Sequence, residues 1–400
     1  MTDLKYWLWL TLTLHQQSRK ITALLEKFDT PLDVYNAKEA DFFGIYNLTI
    51  RDIKSLCNKS LKYTQKVMDD CRKNGIRIMT FDSPYYPKNL SNIFDPPYVL
   101  YVKSKERIDL NNELLIAMIG TREMSKYGRT AAIGLANDLA SAGVTIVSGM
   151  ARGIDGASLA GALRAGGRTI AVLGCGADIA YPPEHDKMME QIAQTGMVIT
   201  EYPPGSPPLP QHFPVRNRII SGLCSGTVVV ESPATGGSLI TASLALEQGR
   251  DVFAVPGNIN SPYSDGANEL IRNGAHLISS ALDIISEYSD EYVNIFKKAV
   301  NTEHERAVFD FRKNTDEISD KQTVSCEPEQ AKPVLDNKVF SSLPDNEKRI
   351  VDVLGVVPMH ADILLDKTNL SVQELNAALT MLEMKGIVRQ HAGRHFALIL

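Results

Sequence analysis

Short apolar runs alternate with segments of helical periodicity across the middle of the chain. The apolar runs occupy residues 115–120, 144–148, 169–174, 197–201, 227–231 and 251–255. Helical segments lie between most of them, for example at 126–142 and 157–165. A strand buried on both faces is apolar throughout, and strands that alternate with helices form βαβ units. The pattern therefore predicts an α/β domain over 114–288, with a parallel sheet covered by helices on both faces.

The pattern differs before and after this region. Residues 1–75 predict a small domain of short helices, including one helix that runs from Asp52 through Val67. Strands are expected at 76–80 and 98–102, where apolar residues follow turn signals.

The end of the chain combines three helices with a β-hairpin. The expected helices are 345–354, 360–365 and 372–385, and the expected strands are 387–390 and 395–398. Ser371 is the predicted cap of the third helix, with Glu374 at the capping-box position. This order is typical of a winged-helix domain.

Four segments follow from these patterns. Residues 301–332 are rich in charge, Ser and Thr with little apolar periodicity, which predicts a flexible linker. We predict a helical N-terminal domain, a Rossmann-like domain with its own N-terminal extension, the linker and a winged-helix domain, at 1–75, 76–290, 291–340 and 341–400.

Composition places the chain among globular proteins of a reducing compartment. Hydrophobic residues make up 44% and charged residues 22%, and no apolar run approaches the ~18 residues of a membrane span. The five cysteines lie far apart without a CxxC pair, and we see no signal peptide, so we expect a cytoplasmic protein. The net charge of −5 counts against nucleic-acid binding, although a local basic stripe can still bind phosphates.

Glycine and arginine concentrate in the loops that follow the predicted strands. In a parallel sheet these loops meet at the carboxyl edge, where glycine amides and helix N-termini bind phosphate groups. No loop fits the dinucleotide or Walker-A fingerprint, so we expect neither cofactor. The four loops contain Gly120, Thr121 and Arg122; Ser148, Gly149, Met150, Ala151, Arg152 and Gly153; Gly174, Cys175 and Gly176; and Gly236, Gly237 and Ser238.

A further arginine pair lies between two of these loops. Arg216 and Arg218 flank Asn217 at a predicted helix start, behind the proline-stiffened stretch 203–214. Two readings stay open: the arginines contact phosphates, or one of them pairs with Glu201 or Glu231 inside the fold. Three rings near these loops either stack on bases or pack in the core: Tyr181, Tyr202 and Phe213.

The sequence shows no arrangement of catalytic or metal-binding residues. The eight histidines are scattered, and none has the spacing of a metal site. Asp155 and Asp178 follow glycine loops, where helix capping explains them better than acid–base chemistry. We therefore expect a protein that is not an enzyme and holds no metal.

The glycine and arginine blocks resemble those of the DNA-processing protein A (DprA, also called Smf) family. The resemblance covers the whole Rossmann-like domain in order, and the N-terminal segment fits a SAM-like or helix-hairpin-helix-like module. The most specific block is 213–223. The other matching blocks are 120–122 with Ser125, Tyr127 and Gly128; 148–155; 169–174; Tyr181 and Pro182; 236–242; 249–257; and 266–271.

The resemblance implies single-stranded DNA binding without sequence preference, and delivery of that DNA to the RecA recombinase in natural transformation or recombination. It also implies a homodimer formed through the Rossmann-like domain. The implied DNA contacts are Gly120, Thr121, Arg122, the loop Ser148 to Gly153, Phe213, Arg216, Asn217, Arg218, Gly236, Gly237 and Ser238.

Two positions depart from the family pattern. Leu159 stands where many relatives have His, so a polar role is absent there and helix packing is expected. Pro183 and Glu184 follow Tyr181 and Pro182 where some relatives have a basic residue. We expect this second departure to weaken DNA binding or to shift it onto Arg122 and Arg152.

Two rival functions stay in view. Phosphoribohydrolases of the same fold class carry a glycine pair, then Gly-Thr and a catalytic Glu; here Leu239 to Ala242 follow the glycine pair, and the next Glu is Glu247. Alternatively, the winged helix reads a DNA duplex. The helix 372–385 has two acidic residues and one Lys, so binding of a protein partner is at least as well supported as binding of a DNA duplex.

Overall fold

The computed structural model describes residues 3–288, 292, 343–354, 359–368, 370–385, 387–391 and 395–398. The chain divides into two compact units, Met1–Asp316 and Glu317–Leu400. The predicted linker over 291–340 lies outside the described residues except for Tyr292, and the predicted domain boundaries stay predictions. Within the described residues, every helix is too short or too polar to cross a bilayer.

The N-terminal part of the first unit is helical, as expected. Its five helices are α1 (Leu4–Thr13), α2 (Ser18–Leu25), α3 (Pro31–Asn36), α4 (Ile50–Cys57) and α5 (Lys62–Lys73). The buried side chains of these helices form one continuous apolar core with residues of the sheet domain, including Leu159 and Val198. The packing expected for Leu159 is therefore confirmed, since this side chain is fully buried.

The single helix predicted from Asp52 to Val67 is wrong. Thr49 and Asp52 form a capping box that begins α4 at Ile50, and Asn58 ends that helix in an extended conformation. The Asn58 side chain accepts a hydrogen bond from the backbone N–H of Ser60. Such local side-chain bonds compete with helix continuation, so the chain turns before α5 begins.

The central sheet has nine strands in the order β1-β2-β6-β5-β4-β3-β7-β8-β9. β1 and β2 pair antiparallel and β2 joins β6 antiparallel, whereas all remaining pairs are parallel. The expected strands are confirmed, and β9, only two residues long, was too short for any pattern to show. The strands are β1 (Ile76–Thr80), β2 (Val99–Lys103), β3 (Leu115–Ile119), β4 (Thr145–Ser148), β5 (Thr169–Leu173), β6 (Met197–Thr200), β7 (Gly226–Val229), β8 (Asp251–Ala254) and β9 (His276–Leu277).

Helices cover both faces of this sheet. Alternate residues of β3 enter two separate cores: Leu115, Ala117 and Ile119 pack on one face, and Ile116 and Met118 on the other. This explains why the strand is apolar at every position. The helices are α6 (Lys88–Ser91), α7 (Lys126–Ser141), α8 (Ile154–Arg164), α9 (Asp186–Thr195), α10 (His212–Leu223), α11 (Gly237–Glu247), α12 (Asp265–Arg272) and α13 (Ala281–Tyr288).

The strands that follow β3 are added first on one side of it and later, from β7 onwards, on its other side. From β3 the chain adds β4, β5 and β6 on one side, and β7, β8 and β9 then extend the sheet on the other. The loops after β3 and β7 consequently diverge and leave a crevice at the carboxyl edge. In open α/β sheets, ligands bind at such a switch point.

The second unit has the expected winged-helix composition. It contains α14 (Asp345–Val353), α15 (Ala361–Thr368) and α16 (Val372–Met384), with the strands β10 (Met359–His360), β11 (Val388–His391) and β12 (His395–Leu398). β12 pairs antiparallel with both β10 and β11. Ser371 and Glu374 form the predicted capping box at the start of α16.

Candidate nucleic-acid interface

A cleft of about 780 Å³ lies at the carboxyl edge of the sheet, where the loops after β3 and β7 diverge. We call it the switch-point cleft. The loop after β4 and one face of α10 complete its walls. It brings together ten of the residues singled out from the sequence: Gly120, Thr121, Arg122, Ala151, Phe213, Arg216, Asn217, Gly236, Gly237 and Ser238.

Arg122 provides an exposed positive charge beside two aromatic rings. Its guanidinium lies 5.6 Å from the centre of the Phe213 ring, and that ring lies 5.4 Å from the ring of Tyr181. Tyr181 is 37% exposed and also lines the cleft. Glu123, the next residue in the chain, lines the cleft as well and offsets part of the charge. A cation and two neighbouring rings in one groove suit a phosphate together with bases.

The N-terminus of α11 opens into the same cleft. Gly237 is the first residue of this helix, and nothing lies within 4 Å of the position where a Cβ would stand. The hydroxyl of Ser238 donates to the hydroxyl of Ser232 at 2.8 Å, which fixes the helix start. The free backbone N–H groups at a helix start and the helix dipole both favour an anion there.

Asp155 connects three of the loops that form the cleft. This side chain near the start of α8 is buried and accepts a hydrogen bond from the backbone N–H of Gly149 at 3.2 Å, and the backbone N–H groups of Gly120 and Ala151 also stabilise its charge. Burial raises the pKa of its carboxyl group, and the neighbouring charge of Arg216 and the backbone donors lower it again in part. The residue positions the loops, which is a larger role than the helix capping that its position suggested.

Arg216, for which the sequence left a phosphate contact or a partner inside the fold open, is buried and forms part of the cleft floor. α10 begins at His212, so Arg216 lies in its second turn and is only 4% exposed. Its guanidinium donates to the backbone oxygen of Gly149 at 2.8 Å and to that of Val172. Burial lowers the pKa of this guanidinium, while the charge of Asp155 acts in the opposite direction.

Arg218 follows the alternative reading and pairs inside the fold. Its Nη2 donates to Glu201 at 2.7 Å, and its Nε lies 3.3 Å from Asp95. Burial disfavours the charged form, but the two carboxylates outweigh this effect and raise the pKa of Arg218. The side chain does not line the switch-point cleft, because it lies on the opposite face of α10.

Most of the loop from Ser148 to Gly153 supports the cleft from behind. Ser148 and Met150 are fully buried, and Gly153 has a φ of +78° beside the backbone oxygen of Thr121. Arg152 has a side chain 65% exposed, and its Nε contacts Glu184 at 2.5 Å. The acidic residue at the departure from the family pattern therefore neutralises an arginine at the edge of the cleft.

Glu231, which the sequence suggested as a possible partner of Arg216 or Arg218, shapes this region through Ser125 instead. Glu231 is buried and accepts hydrogen bonds from the backbone N–H of Ser125 at 2.9 Å and from its hydroxyl. These bonds attach the start of α7 to the end of β7. Gly128 leaves room for this carboxylate, since a Cβ there would stand 2.0 Å from it.

The geometry offers little to the phosphoribohydrolase alternative. Glu247 is the last residue of α11, about 15 Å along the helix axis from Gly237. The acidic residues that line the cleft are Glu123 and the buried Asp155. In the described part of the chain, no three His, Cys, Asp or Glu residues are grouped so that they could hold a metal ion.

Comparison with known proteins identifies the family. The family model for DNA recombination-mediator protein A matches residues 77–289, and the DprA winged helix domain matches residues 339–394. The chain belongs to the DprA family. These matches confirm the predicted fold class, the predicted winged helix and the family resemblance of the loops. The family is one of recombination mediators.

Several named relatives support this assignment. The DprA of Streptococcus pneumoniae is 42% identical over 226 residues, which are 56% of this chain and 73% of the relative. The DprA of Bacillus subtilis is 42% identical over 228 residues, 57% of this chain and 76% of the relative.

A solved structure of one of these relatives agrees. The crystal structure of the Streptococcus pneumoniae protein superposes with a TM-score of 0.60 at 35% identity, covering 68% of this chain and 92% of that one. A structure of the Helicobacter pylori protein, described by its single-stranded DNA binding mode, has a TM-score of 0.49 at 32% identity and covers 55% of this chain and 99% of that one.

Proposed function

We propose that this protein binds single-stranded DNA, without sequence preference, in the switch-point cleft. The observation that carries the proposal is the convergence of Arg122, the Phe213 and Tyr181 rings and the open start of α11 in one groove. Each of these groups contacts a part of DNA that is common to all sequences. Membership of a family of recombination mediators supports DNA as the ligand.

The proposed contacts divide between backbone and bases. Arg122 and the backbone N–H groups of Gly237 and Ser238 bind phosphates, while Phe213 and Tyr181 stack on bases. Arg216 acts indirectly, because its buried charge lies under the phosphate-binding surface and its hydrogen bonds fix the loop after β4. Arg218 and Arg152 are engaged with carboxylates, so we assign them no phosphate contact in this state.

The further steps rest on the family alone. We propose that the protein acts in the cytoplasm, in natural transformation or recombination, and delivers the bound strand to the RecA recombinase. The test is a RecA filament assay on DNA coated with a single-strand-binding protein, with and without this chain. Faster filament formation is expected; an unchanged rate contradicts the proposal.

We also propose a homodimer formed through the Rossmann-like domain. Among the described residues, two large apolar side chains outside the switch-point cleft are exposed at the end of α11 and after it, namely Leu246 and Ile259, the last at 86% exposure. Exposed apolar groups of this size indicate a protein interface.

Replacing Arg122 with Ala is expected to weaken DNA binding about five- to tenfold at low salt, because one phosphate contact is lost. The log–log salt slope should decrease by about 0.7, and oligo-dT, oligo-dA and mixed sequences should all be affected alike. The measurement is fluorescence anisotropy of labelled oligonucleotides over a salt series. Arg164→Ala, the same change at the far end of α8, is the matched control.

Two outcomes would contradict this function. A loss confined to particular bases would indicate base-edge recognition in place of backbone binding. Absence of wild-type binding to single strands at low salt would contradict DNA binding and favour nucleotide hydrolysis. An assay for base release from nucleoside monophosphates detects that activity directly.

Replacing Ile259 with Glu is expected to shift the dimer towards the monomer, since a charge would be buried at the proposed interface. Sedimentation velocity across a concentration series measures this shift. Glu is tolerated in the monomer because the side chain is exposed there. Unchanged sedimentation would place the dimer interface elsewhere.

A further inference from the structure

A second cleft, of about 970 Å³, lies on the other side of α10. Its opposite wall is formed by the end of α1, the start of α2 and Tyr63 of α5. α10 separates the two clefts: Phe213 and Asn217 line the first, and His212 and Arg218 line the second. The function proposed above makes no use of this second cleft.

Two residues that line the second cleft carry buried polar atoms without partners. The hydroxyl of Ser18 and the Nη1 of Arg218 make no hydrogen bond to any described residue, and each side chain belongs to a residue only 5% exposed. A buried unpaired polar group costs about 1–3 kcal/mol. Buried polar groups in native proteins nearly always have a hydrogen-bond partner. A ligand or an ordered water in the cleft would supply the partners that these two groups lack.

The walls of the second cleft suit an aromatic base. The ring of Tyr202 stacks on that of His212, with centres 3.9 Å apart and planes 17° from parallel. Tyr63, across the cleft, is 56% exposed. Near the entrance, the Arg19 guanidinium lies 4.7 Å from the ring centre of Phe94, which is 77% exposed. Exposed rings of this kind bury little of their surface unless something stacks on them.

Charge distinguishes the floor of this cleft from its rim. Glu201 is buried beside Arg218, and Asp95 contacts the same guanidinium, so a phosphate would be repelled from the floor. Arg19 is exposed to solvent and has its guanidinium over the Phe94 ring, whereas Lys20 is largely covered and paired with Asp52. The cleft therefore fits a neutral base at the bottom and a phosphate at the entrance.

We propose that the second cleft is a further nucleotide subsite for the same DNA strand, which receives a base between Tyr63 and the Tyr202–His212 stack. This inference rests on the function proposed above. The segment 206–211 separates the two clefts: Ser206, Pro207 and Gln211 line the second, and Pro208 and Pro210 line the first. A strand that leaves the switch-point cleft crosses this segment and enters the second cleft.

The test compares short and long oligonucleotides. We use labelled oligo-dT of about six and about twenty nucleotides, one near the lower end of the roughly 4–16-nucleotide site sizes of single-strand binders and one beyond their upper end. Arg19→Ala and Tyr63→Ala are each expected to weaken binding of the long strand about fivefold or more, as for the loss of one contact or one stacked base. The short strand, held in the switch-point cleft, should bind as to wild type. Arg164→Ala is again the control.

The outcomes separate this inference from the proposed function. If Arg122→Ala weakens both strands while Arg19→Ala and Tyr63→Ala change neither, DNA binding stands and the second subsite is overturned. If the two variants weaken both strands equally, the second cleft is part of a single indivisible site and the proposal of a separate subsite is also overturned. If the wild-type protein binds neither strand, both the proposed DNA-binding function and the second subsite are contradicted.

Cross-linking provides a second readout that does not depend on affinity. Long oligo-dT carrying 5-iododeoxyuridine is irradiated with the wild-type protein, and the attached peptides are identified by mass spectrometry. Attachment at Tyr63, Tyr202 or His212 supports the subsite. Attachment confined to Tyr181 and Phe213 places all bases in the switch-point cleft and overturns it.

Discussion

Replacing Asp155 with Asn is expected to lower the free energy of unfolding of the first unit by about 1–3 kcal/mol, the usual cost when a buried donor loses its acceptor. The carboxylate accepts a hydrogen bond from the Gly149 N–H, is stabilised by the backbone N–H groups of Gly120 and Ala151, and interacts with the charge of the buried Arg216. An amide has only one acceptor oxygen, so at least one donor would face an N–H group, and Arg216 would lose its counter-charge. The raised pKa of Asp155 shows that its burial is itself costly, but Arg216 cannot release its proton to compensate.

Urea unfolding followed by tryptophan fluorescence measures this loss. Both tryptophans of the chain, Trp7 and Trp9, are buried in the first unit, so the signal reports on that unit. The double variant Asp155→Asn with Arg216→Gln should be less destabilised than the sum of the single variants, because the orphaned charge is gone. A loss below about 1 kcal/mol for Asp155→Asn, or strict additivity in the double variant, would mean that the two residues are not coupled.

Replacing Glu184 with Lys is expected to strengthen single-stranded DNA binding about tenfold at low salt. The change removes the carboxylate that holds Arg152 and adds a second cation at the edge of the switch-point cleft. Two new phosphate contacts would steepen the log–log salt slope by about 1.4, and near-physiological salt would remove much of the gain. The measurement is the same anisotropy titration used for Arg122→Ala.

Two further variants separate local from general effects of this charge change. Glu184→Gln frees Arg152 without adding a cation, so it should give an intermediate affinity. Glu190→Lys changes the charge by the same amount on an exposed position of α9 outside both clefts. Equal gains from Glu184→Lys and Glu190→Lys would show that net charge, and not the release of Arg152, sets the affinity.

The strands and the helices between them could be predicted, because the sequence features that produce them are local. A strand buried on both faces has to be apolar throughout, and a glycine that precedes a helix allows the tight turn. The four glycine loops therefore marked the carboxyl edge correctly, and three of them supply residues to the cleft.

The roles of individual charged residues could not be predicted, since they depend on which side of a helix faces which cleft. Arg216 and Arg218 are two positions apart, which places them about 200° apart around α10. One therefore lies under the switch-point cleft, and the other pairs with Glu201 on the opposite side. The sequence showed two arginines beside an asparagine and left open which of them pairs.

The pairing of Arg152 with Glu184 depends on contacts between distant segments as well. The two residues belong to different loops, 32 positions apart. The departure from the family pattern at Glu184 pointed to weaker binding at that position. It gave no sign that the acidic side chain would reach back to an arginine that the sequence had assigned to DNA.

The position of the switch-point cleft between β3 and β7 also determines when it can form. β3 pairs with β7 through Ile116 and Gly226, about 110 residues later, whereas β3, β4, β5 and β6 follow one another along the chain. Contacts between distant segments close large loops and form late in folding. A ribosome-bound chain that ends before β7 therefore has the loop of Arg122 but lacks the helix start that faces it. The switch-point cleft is therefore among the last features of this domain to appear during synthesis, so the proposed DNA site is absent from the nascent chain until the domain is complete.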